Sequence, residues 1–349
     1  MVHRLLEMRA RLLLVWVLGG LLLTSCVSDA RVPSAFPRDG ELRVNDIQVI
    51  GTHNSYHLRP PRTLPPGDVA DYQHPALDVQ LDQQGVRSFE LDAFNGPAFP
   101  VAHTPVLDGA SNCPTLVACL QIVKTWSDRH PTHVPIFILL EPKTQTIIFD
   151  PADVPWDAAA ITRLDAAVRS VFQPRDLLTP DQVRGRSKTL REAVVRRGWP
   201  TLRNARGRIA LALSSAGPER DLYLAGRPSL EGAPMFVTAD QHAPSAAVIK
   251  RDTPNAGEIR ALVEQGFIVR TRADDRGIEA RANDFTRATA AITSGAQIIT
   301  TDYPVPDPAF GTYLVRLDGG KPAACNLVTA PARCRAIDIE NPRSLSRIR

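Results

Sequence analysis

Short apolar runs that break abruptly into polar residues recur along this chain, and stretches with helical spacing of apolar positions lie between them. The runs predict strands over 47–50, 86–91, 135–140, 209–213, 235–237, 267–270 and 297–300. Two helical patterns stand out, "DAAAITRLDAAVRSVF" at 157–172 and "ARANDFTRATAAITSG" at 280–295, and the second ends in a glycine suited to a helix C-terminus. Alternating strands and helices with no compositional break predict one parallel-stranded α/β domain over 46–345, near the size of a TIM-like (β/α)8 barrel.

The first 45 residues follow a different pattern. Arg4, Arg9 and Arg11 precede "LLLVWVLGGLLL", which is short for a bilayer span and runs into "LTSC". That ending reads as a lipobox, with cleavage after Ser25 and a lipid on Cys26; the plainer alternative is a secretory signal with an incidental cysteine. Residues 1–25 are thus expected to be a lipoprotein signal peptide and 26–45, polar and proline-containing, a tether. Both readings export the protein, and the lipobox reading makes it a bacterial lipoprotein, membrane-anchored and facing the periplasm or the cell exterior. The other four of the five cysteines are an even number suited to an oxidising compartment. Three pairings are formally open, and the local ones, Cys113 with Cys119 and Cys325 with Cys334, are favoured as loop staples.

Charge excludes more than it suggests. The 41 basic and 37 acidic residues are interspersed, leaving a net +4 and no basic arm, so nucleic acid is not an expected partner. No GxGxxG, Walker A or Gly-x-Ser-x-Gly motif is present, which argues against dinucleotide, P-loop and α/β-hydrolase chemistry.

The chemistry collects where the apolar runs end. In a parallel barrel those ends form one mouth. The first run delivers His53, Asn54 and His57, and the second Glu90 and Asp92. His103 follows in "FPVAH", Glu141 and Lys143 close "VPIFILLEPK", Arg270 and Arg272 close "FIVRTRADD", and Asp302 follows "AQIITT". Glu90 and Asp92, two apart on a strand, share a face, where two unpaired carboxylates repel. A divalent cation relieves that repulsion. With Asn54 and Glu141 the ligand set is all oxygen, favouring Ca²⁺ or Mg²⁺ over zinc or copper. His53 and His103 can move protons near neutral pH, as displacement at a phosphodiester requires.

The segments "GTHNSYH", "FELDAF", "VAH", "LLEPK", "SKTLREAVVRRGWPTLRNARGRIALAL", "VRTRAD" and "ITTDYP" resemble the bacterial calcium-dependent branch of the phosphatidylinositol-specific phospholipase C superfamily, over roughly residues 46 to 305. The resemblance implies a TIM-like barrel, often irregular or incompletely closed, with calcium rather than magnesium at its mouth. It assigns Asn54, Glu90, Asp92 and Glu141 as calcium ligands and His53 and His103 as the catalytic pair. By position, Lys143, Arg270, Arg272 and Asp302 are expected among the substrate contacts, with salt bridging as their alternative, while Asp302 could instead orient a basic side chain. The expected partner is a phospholipid at a membrane surface, approached by an anchored monomer. A glycerophosphodiesterase is the competing reading, although "GTHNSYHLRPPRTLPPG" lacks that family's His-Arg-Gly and Pro-Glu-Asn-Thr; a non-catalytic lipid-binding lipoprotein is the third. The tail after residue 310 yields only its cysteine pair.

Overall fold

A computed structural model describes residues 36–60, 71–105, 108–144 and 154–341. Eight parallel strands follow the chain: β1 (Ile47–Thr52), β2 (Ser88–Phe94), β3 (Ile136–Lys143), β4 (Ile209–Leu213), β5 (Phe236–Val237), β6 (Val248–Lys250), β7 (Ile268–Arg272) and β8 (Ile298–Thr301). They are ordered β5-β4-β3-β2-β1-β8-β7-β6. A single bridge, Thr238 to Val248, spans β5 to β6 in place of a ladder. The result is a TIM-like barrel with helices between strands and an incompletely sealed seam.

A ninth strand, β9 (Ala323–Cys325), runs antiparallel to β1 at Ile47–Val49. Val49 pairs with both Ala323 and Ile298 of β8, so β9 lies on the β2 side of β1. It fills the lower part of an edge where β1 and β2 register only at Gly51 and Ser88. A side chain at Gly51 would place its Cβ 2.8 Å from Ser88 Cβ, so this approach of the two strands requires glycine.

The strands are buried on both faces, as a sheet clothed by helices demands, and β2 is buried throughout despite Glu90 and Asp92. The helix Ala158–Val171 presents Ile161, Leu164 and Val168 to the core and begins where Asp157 accepts a 2.7 Å hydrogen bond from the Ala160 amide. Both local disulfides form, Cys113–Cys119 and Cys325–Cys334. Among the described residues no helix is long and apolar enough to cross a membrane.

Four expectations change. The helical pattern over 280–295 is two helices, Ile278–Ala282 and Thr286–Thr293, because Asn283 adopts φ 50° and the Asp284 side chain, ahead of the second helix, accepts from the Thr286 amide. Strand β6 is not among the expected strands: its short apolar run passes at once into Lys250 and Arg251. Residues 36–45, read as the end of a tether, are packed: Phe36 and Leu42 are buried, and Arg206 donates two hydrogen bonds to Asp39. The opaque tail is the barrel's seal, supplying β9 and, from its end, Glu340, which pairs with buried Arg87. The expected signal peptide and the lipobox Cys26 lie outside the described residues.

Candidate active site

Strand register sets the side chains at the mouth. Asp92 pairs with Glu141 across β2 and β3, and Lys250 with Arg270 across β6 and β7. Residues two apart then share the inward face, so Glu141 with Lys143, and Arg270 with Arg272, line one pocket of about 140 Å³ together with His53, Asn54, Glu90 and His103. The turn after β1 is fastened to β2, since the Ser55 amide donates to Glu90 O and the Glu90 amide to Ser55 Oγ, each at 2.9 Å. That turn holds Asn54 at φ 43°, a left-handed conformation asparagine tolerates. Its amide nitrogen donates to the Tyr72 hydroxyl at 2.9 Å, which leaves the amide oxygen as its remaining ligand atom.

The three carboxylates meet as expected: one oxygen each from Glu90, Asp92 and Glu141 lie within 4.8 Å of one another. They are not unpaired, however, as the reading of two mutually repelling carboxylates assumes. Arg270 donates to Glu90 and also engages Asp252. Lys143 lies 2.7 Å from Glu141 and 3.0 Å from Asp92, and Lys250 lies 3.1 Å from Glu141. Lys143 and Arg270, expected to contact substrate, therefore brace the acid cluster.

The cluster still fits a calcium ion. Asp92 is fully buried, yet neither of its oxygens receives a well-directed hydrogen bond; the Lys143 ammonium is an ion-pair contact only. Ligand oxygens of one Ca²⁺ sit about 2.3–2.6 Å from the ion, so a set lying within 4.8 Å of one another can share it. The electrostatics separate the two β2 acids. Burial, with Glu141 and Glu90 adding to it against Lys143, pushes Asp92 up to about 6. Burial acts the same way on Glu90, but Arg270 and Lys250 outweigh it and hold that carboxyl well below the usual range.

Each imidazole at the mouth is backed by a carboxylate. His53 Nδ1 lies 2.9 Å from Asp302 Oδ1, and Arg272 reaches toward both, 3.4 Å from His53 Nε2 and 3.4 Å from Asp302 Oδ2. Asp302, expected either among the substrate contacts or beside a basic side chain, is buried behind His53. His103 Nδ1 lies 2.9 Å from Asp108 Oδ2, and this hydrogen bond raises the proton affinity of His103 above the ordinary value. His57 is wholly buried against Asp108 and does not line the pocket.

Sequence reasoning missed Asp108, Lys250, Asp252 and Tyr72. Lys250 had a faint signal, ending the short run "AAVIK" before "RD"; Asp108 and Tyr72 lie in loops whose course no periodicity reveals.

A parallel barrel whose mouth gathers an oxygen-ligand cluster and two carboxylate-backed imidazoles defines a metal-dependent phosphodiester-cleaving barrel enzyme. The chain matches the model of the family described as phosphoinositide phospholipase C, Ca²⁺-dependent, over residues 42–98 and 93–327. It belongs to that family and is an enzyme of that type. No curated protein matches the chain at a significant level. Among solved structures, it is similar to the calcium-dependent phosphoinositol-specific phospholipase C of a Gram-negative Pseudomonas species in its apo form, at 20% identity and a TM-score of 0.59, covering 84% of this chain and 99% of that one. The myoinositol complex of the Pseudomonas protein gives 20% and 0.58, covering 83% and 98%. The Ca²⁺-dependent phosphatidylinositol-specific enzyme of Streptomyces antibioticus gives 19% and 0.56, covering 77% and 97%. At these identities the structural likeness speaks to the fold.

Proposed function

We propose that this enzyme cleaves an inositol phospholipid by in-line transfer within the headgroup, releasing diacylglycerol and an inositol phosphate that is cyclic when first formed. The observation that carries this reading is the one pocket that His53, His103, Glu90 and Glu141 line together, with Asp92 buried beside the two acids.

Asn54, Glu90, Asp92 and Glu141 would hold the calcium ion, which when bound supplies positive charge to the phosphoryl group and acidifies a hydroxyl beside it. A carboxylate of the cluster accepts the proton of the inositol 2-hydroxyl as that oxygen attacks phosphorus. The bond from phosphorus to the glycerol oxygen breaks, and His103 delivers its proton there through Nε2, the nitrogen that Asp108 does not engage. His53, held by Asp302 with the Arg272 guanidinium beside it, faces the charge gathering on the phosphoryl oxygens. Hydrolysis of the cyclic product uses the same groups with water as nucleophile.

The enzyme's place of action belongs to the same reading: export, with a lipid on Cys26 holding a monomer near its substrate. The two disulfides accord with an oxidising compartment.

The test assays phosphatidylinositol and glycerophosphocholine in parallel, with calcium and with EGTA. Diacylglycerol release that EGTA abolishes and calcium restores is the expected outcome. Release of glycerol 3-phosphate from glycerophosphocholine, with phosphatidylinositol untouched, would overturn the reading.

A further inference from the structure

His57 is a titratable group that the mechanism above does not use, buried in the same turn after β1 that carries His53. Its side chain has no exposed surface, and both ring nitrogens are engaged. Nδ1 lies 3.0 Å from the Tyr72 carbonyl oxygen, which can only accept, so Nδ1 is the donor there. Nε2 faces both oxygens of Asp108, at 2.8 and 3.0 Å. The backbone of His57 is locked as well, since its amide donates to Asn54 O at 2.8 Å and its carbonyl accepts from the His74 amide at 2.9 Å.

Asp108 needs such an anchor. It lies five residues after His103, and its backbone exchanges hydrogen bonds with that of Thr104 at 2.7 and 3.1 Å. A carboxylate can turn about its side-chain bonds unless partners on both oxygens hold its plane. His57 spans both of its oxygens, while His103 Nδ1 meets Oδ2 from the other side, with the two imidazole rings edge to face at 5.9 Å. The chain of contacts thus runs from the rigid β1 turn through His57 and Asp108 to His103, whose side chain is 29% exposed at the pocket.

We propose that His57 and Asp108 are positioning residues for the general acid: His57 fixes the carboxylate plane of Asp108, and Asp108 in turn fixes the His103 ring so that Nε2 faces the departing glycerol oxygen. The proposal rests on the reading of His103 as the proton donor. It has a chemical consequence that a purely structural role lacks. A glycerol alkoxide is strongly basic and cannot leave without a proton, whereas a nitrophenolate leaves readily without one. Misalignment of the acid therefore penalises the first bond cleavage and largely spares the second.

The experiment compares phosphatidylinositol with the 4-nitrophenyl ester of myo-inositol 1-phosphate for His103→Ala, Asp108→Asn and His57→Gln in the calcium-loaded enzyme. Asp108→Asn nearly preserves shape and carries the test should the buried His57 variant fold poorly; urea midpoints and calcium affinity are measured for each. Expected is a fall of about 10- to 100-fold in kcat on the lipid for Asp108→Asn and His57→Gln, with KM little changed, and a fall about tenfold smaller on the nitrophenyl ester. Adding either change to His103→Ala should cost little more, since the acid is already gone. Equal losses on both substrates for Asp108→Asn, or no loss on the lipid, would overturn the positioning role while a leaving-group-selective His103→Ala leaves the general-acid reading standing. A His103→Ala enzyme without leaving-group selectivity would take down both.

Discussion

The barrel buries charge at both ends, and the two ends do so differently. At the closed end, Arg87 donates to Glu340 through Nε at 2.9 Å and again through Nη2, and through Nη1 to the carbonyls of Leu81 and Val86 at 2.8 and 2.7 Å; its guanidinium lies over the Trp126 ring. Glu340 completes its shell with the Val134 amide. One acid meets one base, and both are well supplied with partners. At the mouth, Glu90, Asp92, Glu141 and Asp252 share Lys143, Lys250 and Arg270 among them, and Asp92 lacks a directed donor. Completed networks hold a fold together, whereas an incomplete one beside a pocket is prepared for a ligand.

Substitutions at the two ends should separate these roles. The largest effect falls at the mouth: His103→Ala or His53→Ala should lower kcat on phosphatidylinositol by about 10²–10⁴-fold with an unchanged urea midpoint, as steady-state assay and denaturation will show. At the closed end the pattern reverses. Glu340→Leu strands a buried guanidinium and should cost about 3–5 kcal/mol of stability, while the folded fraction keeps its kcat. Pairing it with Arg87→Met should recover much of that loss; a double variant as unstable as the single would show that the packing of the tail matters more than its charge.

A third probe lies just behind His53. Burial, together with Asp302, pushes Asp274 up to about 7, whereas an unfolded aspartate releases its proton near 3.9. The native state therefore holds a proton that the unfolded chain has lost, and stability falls as pH rises from about 4 to about 7. Asp274→Asn should flatten that slope in urea midpoints taken across the window. The smallest effect belongs to neither end: Lys124→Ala breaks ion pairs with exposed Asp128 and with Asp176 and should cost about 0.2–1 kcal/mol by the same measurement.

What could be read from the chain divides along the same line. The mouth was legible because polar chemistry interrupts apolar strands: Glu90, Asp92, Glu141, Arg270 and Arg272 all lie on strands whose period of two assigns their face. The seal was not, because Ala323–Cys325 is three residues long and Glu340 finds Arg87 across 253 positions of chain. Asp108 and Lys250 fall between these cases. Each is near a residue that was singled out, yet a loop and a three-residue strand give no pattern from which to infer where the side chain goes. The acid cluster itself was foreseen, but not its basic counterparts, since pairing Lys143 with Asp92 or Lys250 with Glu141 depends on register between strands and not on either strand alone.

The position of β9 sets an order on biogenesis. Until residues 323–340 have left the ribosome, the lower edge of β1 lacks its antiparallel neighbour and Arg87 lacks its counter-ion. The nascent barrel therefore stays unlocked after its last parallel strand, β8, has been made, and closure waits on the β9 segment that follows it.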